Sequence, residues 1–431
     1  MVNRVIMKKL FRFTIIYFSC LSTTAFAQSY SDDLSWTISK LSGDSLRIGF
    51  KDQGSVQLKG SYNYNSNAVT NDFFSKLVYK STYISEEDKQ GSLNRLKAHN
   101  RLGVDFSSSL HGTYRSKKDT TVLFDMGIAY RDFTYAYFTK DIFKLAFEGN
   151  AQYAGQNAVV GPSTLKEWNY ASLFVGVQKV VCKELMVGAR LSIIKAGFYR
   201  ETSIGAGNLY TDPNGDYVEL SAPFHWYSQE RPDNPFAANH GWGLGADLYA
   251  QRFFKKSILT LEVKDLGAVN WRNMNTYTGD KTYRYEGQNI GDILAPGNSY
   301  ISSVALDSVA KELGIEKVVQ NKIKMLPTKV QLTYLYKLNT KWAVKGDLNY
   351  MFLKGYLPYA KVSGYYAITP AFFIVPAITF GGYGSINTQL GLSATVAKTW
   401  SVQANIFALE YFIAPTSYSG HGLELYLTKR F

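Results

Sequence analysis

The segment LELYLTKRF, Leu423 to Phe431, places leucine at every second position and ends on a phenylalanine. Successive strand side chains point to opposite faces. Leu423, Leu425 and Leu427 therefore share one face with Phe431, while Glu424, Tyr426, Thr428 and Arg430 share the other. Chain ends are usually frayed and polar. An alternating apolar strand at this position predicts that its backbone is paired and that its two faces meet different surroundings.

The same alternation recurs along the chain. One face collects Leu102, Val104, Phe106 and Leu110; then Val122, Phe124, Met126, Ile128 and Tyr130; then Leu185, Val187, Leu191 and Ile193; then Leu259, Leu261 and Val263. It continues through Val330, Leu332, Tyr334 and Tyr336, Trp342, Val344, Leu348 and Tyr350, and Ile386, Leu390, Leu392 and Val396. None of these positions is charged. The interleaved face carries Arg101, Asp105, Asp125, Arg131, Arg190, Glu262, Lys345 and Asp347, with many glycines and serines.

A water-soluble sandwich also alternates, so other features must decide. The strands run to about nine to eleven residues, the length that crosses a bilayer when tilted, against about five or six in soluble sheets. Aromatic residues near strand ends (Tyr130, Tyr170, Trp271, Trp342, Tyr350, Trp400) suit an interfacial girdle. Tight turns such as Ser116 to Asp119, Cys182 to Glu184 and Asn339-Thr340 alternate with long excursions, as in outer-membrane barrels. In lipid every backbone group must be paired, so such a sheet closes on itself. Phe431, Leu427, Leu425 and Leu423 also have the shape of the assembly signal carried by the last strand of outer-membrane barrels. Lys429 departs from it and would snorkel to the interface.

At the other end, Arg4, Lys8, Lys9 and Arg12 precede the apolar run Phe13 to Cys20 and the A-x-A site Ala25-Phe26-Ala27. These predict a signal peptide over 1–27 and a mature barrel over 28–431. A lipidated Cys20 is the alternative, with Tyr17-Phe18-Ser19 a poor match to a lipobox. Cleavage would lower the net charge from +13 to 13 − 4 = +9 and leave Cys182 as the single cysteine, so no internal disulfide can form. Past the signal no apolar stretch is long enough for a helical span. The 32 tyrosines and 35 glycines suit many strands.

The predicted fold is all-β: a transmembrane antiparallel barrel of about fourteen strands, within a range of about twelve to sixteen. Hairpins are expected over 45–64, 102–131, 171–198, 242–264 and from 329 onward. Asp72 to Ala98 and Glu201 to Asn239, the latter with TDPNGD and QERPDNP, predict loops outside the sheet. Within the long excursion from Arg272 to Met325, Asp307 to Leu313 predicts a short helix.

Several phrases resemble a known family: KDIFKLAFEGNAQYAG (140–155), VGARLSIIKAGFYRET (187–202), LTLEVKDLGAVNW (259–271), TYRYEG (282–287) and MLPTKVQLTYLYKL (325–338). In this order, with Asp265-Leu266-Gly267 followed by Trp271, they are similar to a Bacteroidota family of outer-membrane barrels of unknown function. That family is similar in turn to long-chain fatty-acid transporter barrels and to barrel components of type IX secretion. The resemblance covers about residues 100–431 and brings no catalytic residues.

Candidate chemistry is sparse. Asp105, Ser107, Ser109 and His111 share a face, but alternate residues lie about 7 Å apart on a flat strand, and a triad needs contacts near about 3 Å. DPNGDY offers Asp212, Asn214 and Asp216 but lacks the glycine and glutamate of a calcium loop. GWGLG (241–245) lacks the dinucleotide spacing; its glycines thin one face of the wall. The histidines have no metal spacing. The expectation is no enzyme, no cofactor, no metal and no nucleic acid, with the basic charge facing lipid phosphate. Expected partners are outer-membrane lipid, lipopolysaccharide and the barrel-assembly machinery.

Two functions compete: a transporter-like barrel for apolar or amphipathic small molecules, or a non-conducting scaffold docking secretion, gliding or surface proteins. The first predicts an apolar pocket in a plugged lumen. The second predicts a lumen crossed by paired charges. An outer-membrane enzyme is the weaker third.

Overall fold

The computed structural model describes residues 53–80, 83–229, 238–286, 314–397, 399–414 and 416–431. The proposed signal peptide and the helix expected at 307–313 lie outside these residues. The strands are β1 (Gly54–Ser66), β2 (His99–Arg115), β3 (Val122–Thr139), β4 (Asn157–Cys182), β5 (Leu185–Thr211), β6 (Val218–Ser221), β7 (Phe224–Ser228), β8 (Gly241–Phe253) and β9 (Ser257–Gly279). They continue as β10 (Thr282–Tyr285), β11 (Lys317–Met325), β12 (Lys329–Lys337), β13 (Trp342–Met351), β14 (Leu357–Thr369), β15 (Phe372–Gly382), β16 (Ile386–Ala397), β17 (Trp400–Phe407) and β18 (His421–Arg430).

Fourteen of them form a closed antiparallel barrel in the order β1-β2-β3-β4-β5-β8-β9-β12-β13-β14-β15-β16-β17-β18. The ring shuts where β18 pairs with β1, Ser55 opposite Arg430 through Tyr64 opposite His421. Full closure leaves no edge in the ring. Both flanks of β1 are taken, by β18 and β2; of the hairpin expected over 45–64, residues 45–52 lie outside the described residues.

Gly54 and Phe431 lie at the end with the tight turns, where the amides of Gln53 and Gly54 donate to the Phe431 carbonyl. The long connections gather at the other end. There β5 and β9 rise above the ring. β7 pairs with both on one side of β9, β11 pairs with β9 on the other, and β6 joins β5 to β10. The span from Glu201 to Asn239 thus includes strand rather than only loop. Its turn formers mark the tight turns between β5, β6 and β7 and did not forbid strands between them.

Burial confirms an inverted architecture. Exposed apolar side chains include Met126 at 58%, Leu173 at 57%, Leu191 at 66%, Leu244 at 70% and Leu348 at 52%. Buried polar ones include Gln57, Gln178, Thr260, Glu262, Gln331, Asp347, Ser393 and Thr428. A soluble core reverses this; lipid outside a polar lumen produces it.

The girdle assignment needs correction at two aromatics. Tyr170 stands opposite Arg131 on the lumen face and is buried. Trp271 is buried in the lumen because Asp265, at φ 58, inserts an extra residue into β9. Upstream of that bulge the odd positions Leu259, Leu261 and Val263 face outward; downstream the outward positions are even.

The segment 67–98 is not a plain loop. It holds α1 (Asn71–Phe74), which runs on as a π-helical turn (Ser75–Lys80), and α2 (Glu86–Leu93). Thr70 caps the first. A capping box formed by Ser85 and Asp88 starts the second. A third helix, α3 (Lys140–Glu148), follows β3 and is capped by Thr139.

Candidate functional site: a filled lumen

The inward face is layered. Beside the tight turns, Met186, Phe253, Ile258, Leu335, Tyr365, Phe373 and Val375 form a buried apolar cluster. It closes this part of the lumen with packed hydrocarbon.

Above it lie the lumen charges. Arg190 on β5 donates through Nε to Asp125 at 3.0 Å and contacts Asp247 at 3.4 Å. Asp125 also accepts from Tyr249 at 3.1 Å, and its side chain is fully buried. The guanidinium lies 4.4 Å from the Phe174 ring centre and 3.4 Å from His111. Arg131 on β3 holds Asp105 with two hydrogen bonds, at 2.6 and 3.2 Å, and reaches across to Asp265 on β9 at 3.1 Å. Lys345 pairs with Asp347, which accepts from Thr333; Lys264 pairs with Glu262; Lys59 pairs with Glu424. Arg101 donates across the lumen to the carbonyls of Gly382 and Gly384.

Asp105, Asp125, Arg131, Arg190, Glu262, Lys345 and Asp347 thus all stand on the lumen side in ion pairs, while Arg101 uses backbone oxygens. Ser107, Ser109 and His111 share their face, and His111 is engaged with Arg190 rather than with a serine. Leu423, Leu427 and Phe431 are exposed on the outer side. Of the DLG motif, Asp265 enters the Arg131 network, Leu266 is exposed outside, and Gly267 lies so close to β8 that a Cβ would meet the Leu244 carbonyl at 2.1 Å.

The next layer is aromatic. Phe133, Tyr135, Trp168, Tyr170, Tyr199, Trp271 and Tyr356 pack with Ile194, Met274 and Leu326. Tyr383, from the turn between β15 and β16, enters this layer from above, with its ring 4.9 Å from Tyr356. Two glycines make that possible. Gly381, at φ 84, takes a conformation that side chains disfavour, and a Cβ at Gly103 would lie 2.2 Å from the Tyr383 ring. At the mouth, Glu201 gathers Lys166 at 3.0 Å, Lys324 at 2.6 Å, His225 at 3.4 Å and the Tyr199 hydroxyl at 2.6 Å.

A cavity of about 10 Å³ lies among Gln178, Arg190, Asp247, Leu248, Tyr249, Glu262 and Lys264, room for about one water. Among the described residues no group of three or more histidine, cysteine or acidic side chains is placed to hold a metal. What sequence reasoning missed is the aromatic layer, whose members were scattered over seven strands and turns without a shared local pattern.

Apolar outside, ion-paired within and closed without an edge, the molecule is a membrane-type β-barrel with a filled lumen. The chain belongs to a family of unknown function, DUF5723, whose model matches residues 53–400. No curated protein matches. Similar solved structures include the toluene transporter TbuX of Ralstonia pickettii, at 9% identity and TM-score 0.46, covering 89% of this chain and 90% of that one. A FadL homologue of Pseudomonas aeruginosa aligns at 10% identity and TM-score 0.43, covering 88% and 90%. The translocator domain of the autotransporter NalP from Neisseria meningitidis aligns at 8% and 0.32 over 100% of both chains.

Proposed function

We propose that this chain is an outer-membrane, transporter-like barrel for apolar or amphipathic small molecules, taken in at the aromatic layer and released sideways through the wall between β9 and β12. One observation carries this reading. The β9 ladder pairs with β12 as far as Lys264 opposite Lys329, and with β11 from Ala268 opposite Met325 onward. Between them Asp265-Leu266-Gly267 faces Leu326-Pro327-Thr328 without a regular ladder. Pro327 has no N–H to give. The gap is bridged by the Leu326 amide on the Gly267 carbonyl and the Thr328 hydroxyl on the Asp265 carbonyl, each at 2.9 Å.

Both sides of this break are apolar. Inside, Leu326 belongs to the aromatic layer and packs near Gly245. Outside, Leu244, Ile323 and Met325 are each at least 70% exposed. Below, ion pairs and packed hydrocarbon oppose an axial exit for an apolar solute, since stripping a buried pair costs several kcal/mol. Moving Leu326 requires losing two hydrogen bonds, about 1 kcal/mol each.

The test is a removable staple. In a Cys182→Ser background, Ala268→Cys with Met325→Cys places two thiols directly opposite one another at the edge of the break, where they pin Leu326 beside β9, within disulfide reach for a facing strand pair. Refolded protein in vesicles should carry a fluorescent fatty acid or a radiolabelled aromatic hydrocarbon when reduced, and lose most of that flux when oxidised. Equal flux in both states removes the lateral route. The fully paired lumen charges favour a second reading, the non-conducting scaffold. It is supported instead if neither state shows flux and the intact barrel retains a secretion or surface protein when isolated from native membrane.

A further inference from the structure

The excursion between β1 and β2 does not cap the lumen; it folds down over the outside of the wall. Tyr62 and Tyr64 stand opposite Leu423 and His421, on the face that carries the exposed Leu58 and Leu427. Yet Tyr64 is 0% exposed. Phe74 stacks on it at 3.7 Å, and the Tyr64 hydroxyl donates to the Val69 carbonyl. Phe73 and Phe74 from α1, with Phe143 from α3, bury a cluster that takes in the outward-facing Leu102, Val104, Ala136 and Phe138 of β2 and β3.

His421 explains why the cover is needed. It begins β18 on the outward face, where a bare imidazole beside hydrocarbon would lack partners. Here its ring nitrogens meet Asn71 Oδ1 and the Tyr79 hydroxyl, both at 2.9 Å. Tyr411, from the 3₁₀ turn Leu409–Phe412, flanks the same ring at 5.1 Å. Asn71 also bonds the backbone at Tyr418 and Gly420. Both excursions are thereby fixed to one patch of outer wall.

Among their exposed side chains are the apolar Leu77 at 38%, Phe412 at 70% and Ile413 at 83%, alongside the exposed Lys80. The 3₁₀ turn that carries Phe412 lies against β16 through Glu410 and against the His421 ring at the start of β18, strands whose outward face carries the exposed Ile386 and Leu423. The Glu410 carboxylate fixes this rim by accepting from the Thr388 amide at 2.6 Å, just past the end of β17.

We infer that the segments 70–80 and 409–414 form an interfacial collar whose exposed rim, Leu77, Phe412 and Ile413, inserts into the acyl layer of the outer leaflet on the β16-β17-β18-β1 side. The occupant is lipid, because the rim extends a surface whose lower part faces lipid. This rests on the membrane reading of the barrel, and the test separates the two. Amphipathic segments seated this way bury their apolar side about 5–10 Å into the headgroup boundary.

In a Cys182→Ser background, single cysteines at Ile413→Cys, at Leu77→Cys, at the belt control Leu191→Cys and at the turn control Asn214→Cys are labelled with an environment-sensitive fluorophore. Each protein is refolded into phosphatidylcholine–phosphatidylglycerol vesicles with and without brominated acyl chains. The collar labels should be blue-shifted and quenched by brominated lipid nearly as strongly as the belt label, with the turn label unaffected. A quenched belt label with collar labels that behave like the turn overturns the collar alone and leaves the rim free for a protein. An unquenched belt label overturns the membrane reading and the collar with it.

Discussion

Replacing Arg190 by methionine keeps an apolar stem and removes the guanidinium that lies over Phe174 and neutralises Asp125. At the 3.0 Å separation of this pair, an effective dielectric of about 20 gives about 5–6 kcal/mol of gross attraction. Desolvation of both groups consumes much of it. The loss on deleting one partner of a buried pair is about 3–5 kcal/mol, most of it the cost of the charge left behind. Asp125 keeps Tyr249 at 3.1 Å and Gln178 at 3.4 Å, and Asp247 is also left without its arginine contact, so Arg190→Met should cost about 3 kcal/mol. Equilibrium urea unfolding of the refolded protein in vesicles, followed by tryptophan emission, measures this. Arg190→Met with Asp125→Asn removes both charges and should recover at least half of the loss, a coupling that a double-mutant cycle isolates. If the single variant lies within about 1 kcal/mol of the parent, or the double variant is no better than the single, then the lumen networks are too hydrated to act as a low-dielectric seal.

Leu191→Arg is the complementary outside test: at a 66% exposed position it would change a soluble protein by at most about 0.5 kcal/mol. On a lipid face near the midplane it should cost about 2–4 kcal/mol in the same unfolding assay. The start of α2, which is tied to the collar through Lys76, is acid-sensitive. Burial alone would raise the Asp88 carboxyl, but the Lys76 ammonium at 2.5 Å and the Ser85 amide and hydroxyl outweigh it and bring its pKa down to about 2. A depressed carboxylate contributes stability above its unfolded pKa and loses it as pH falls through the folded one. The α2 start should therefore hold at pH 5 and loosen between about pH 4 and pH 2; protease nicking within 86–94 over that window checks it, and Asp88→Asn should be nicked at pH 5.

Where one rule governed each residue, the sequence was sufficient. The period of two, with charge excluded from one face, identified the lipid side of β3, β5, β12, β13 and β16, because neither solvent tolerates the other's side chains. It failed where a local backbone event changed phase. The bulge at Asp265 turned Trp271 inward, and nothing in EVKDLGAVNW announces a left-handed aspartate. It failed again above the membrane, where both faces meet water or protein and alternation loses its cause; β6, β7 and the upper β5 were hidden among turn formers. The excursion between β1 and β2 had one readable signal, Ser85 with Asp88 three residues on, a capping box preceding a stretch too polar to suggest a packed helix. Arg131 and Asp105 were readable as lumen residues, but their link to Asp265, 134 positions from Arg131, needed the ring to be closed.

The seam between β18 and β1 sets the order in which this molecule can come into being. Gln57 donates to Thr428 across 371 positions of chain, and every other contact of β1 with β18 is nearly as remote. An emerging polypeptide cannot form these bonds until its final strand exists, and contacts so distant are slow to find. Until then two unsatisfied borders would face hydrocarbon, which does not tolerate them. Entry into the bilayer and circularisation must accordingly finish together, the last strand of the chain sealing the border that the first one opened.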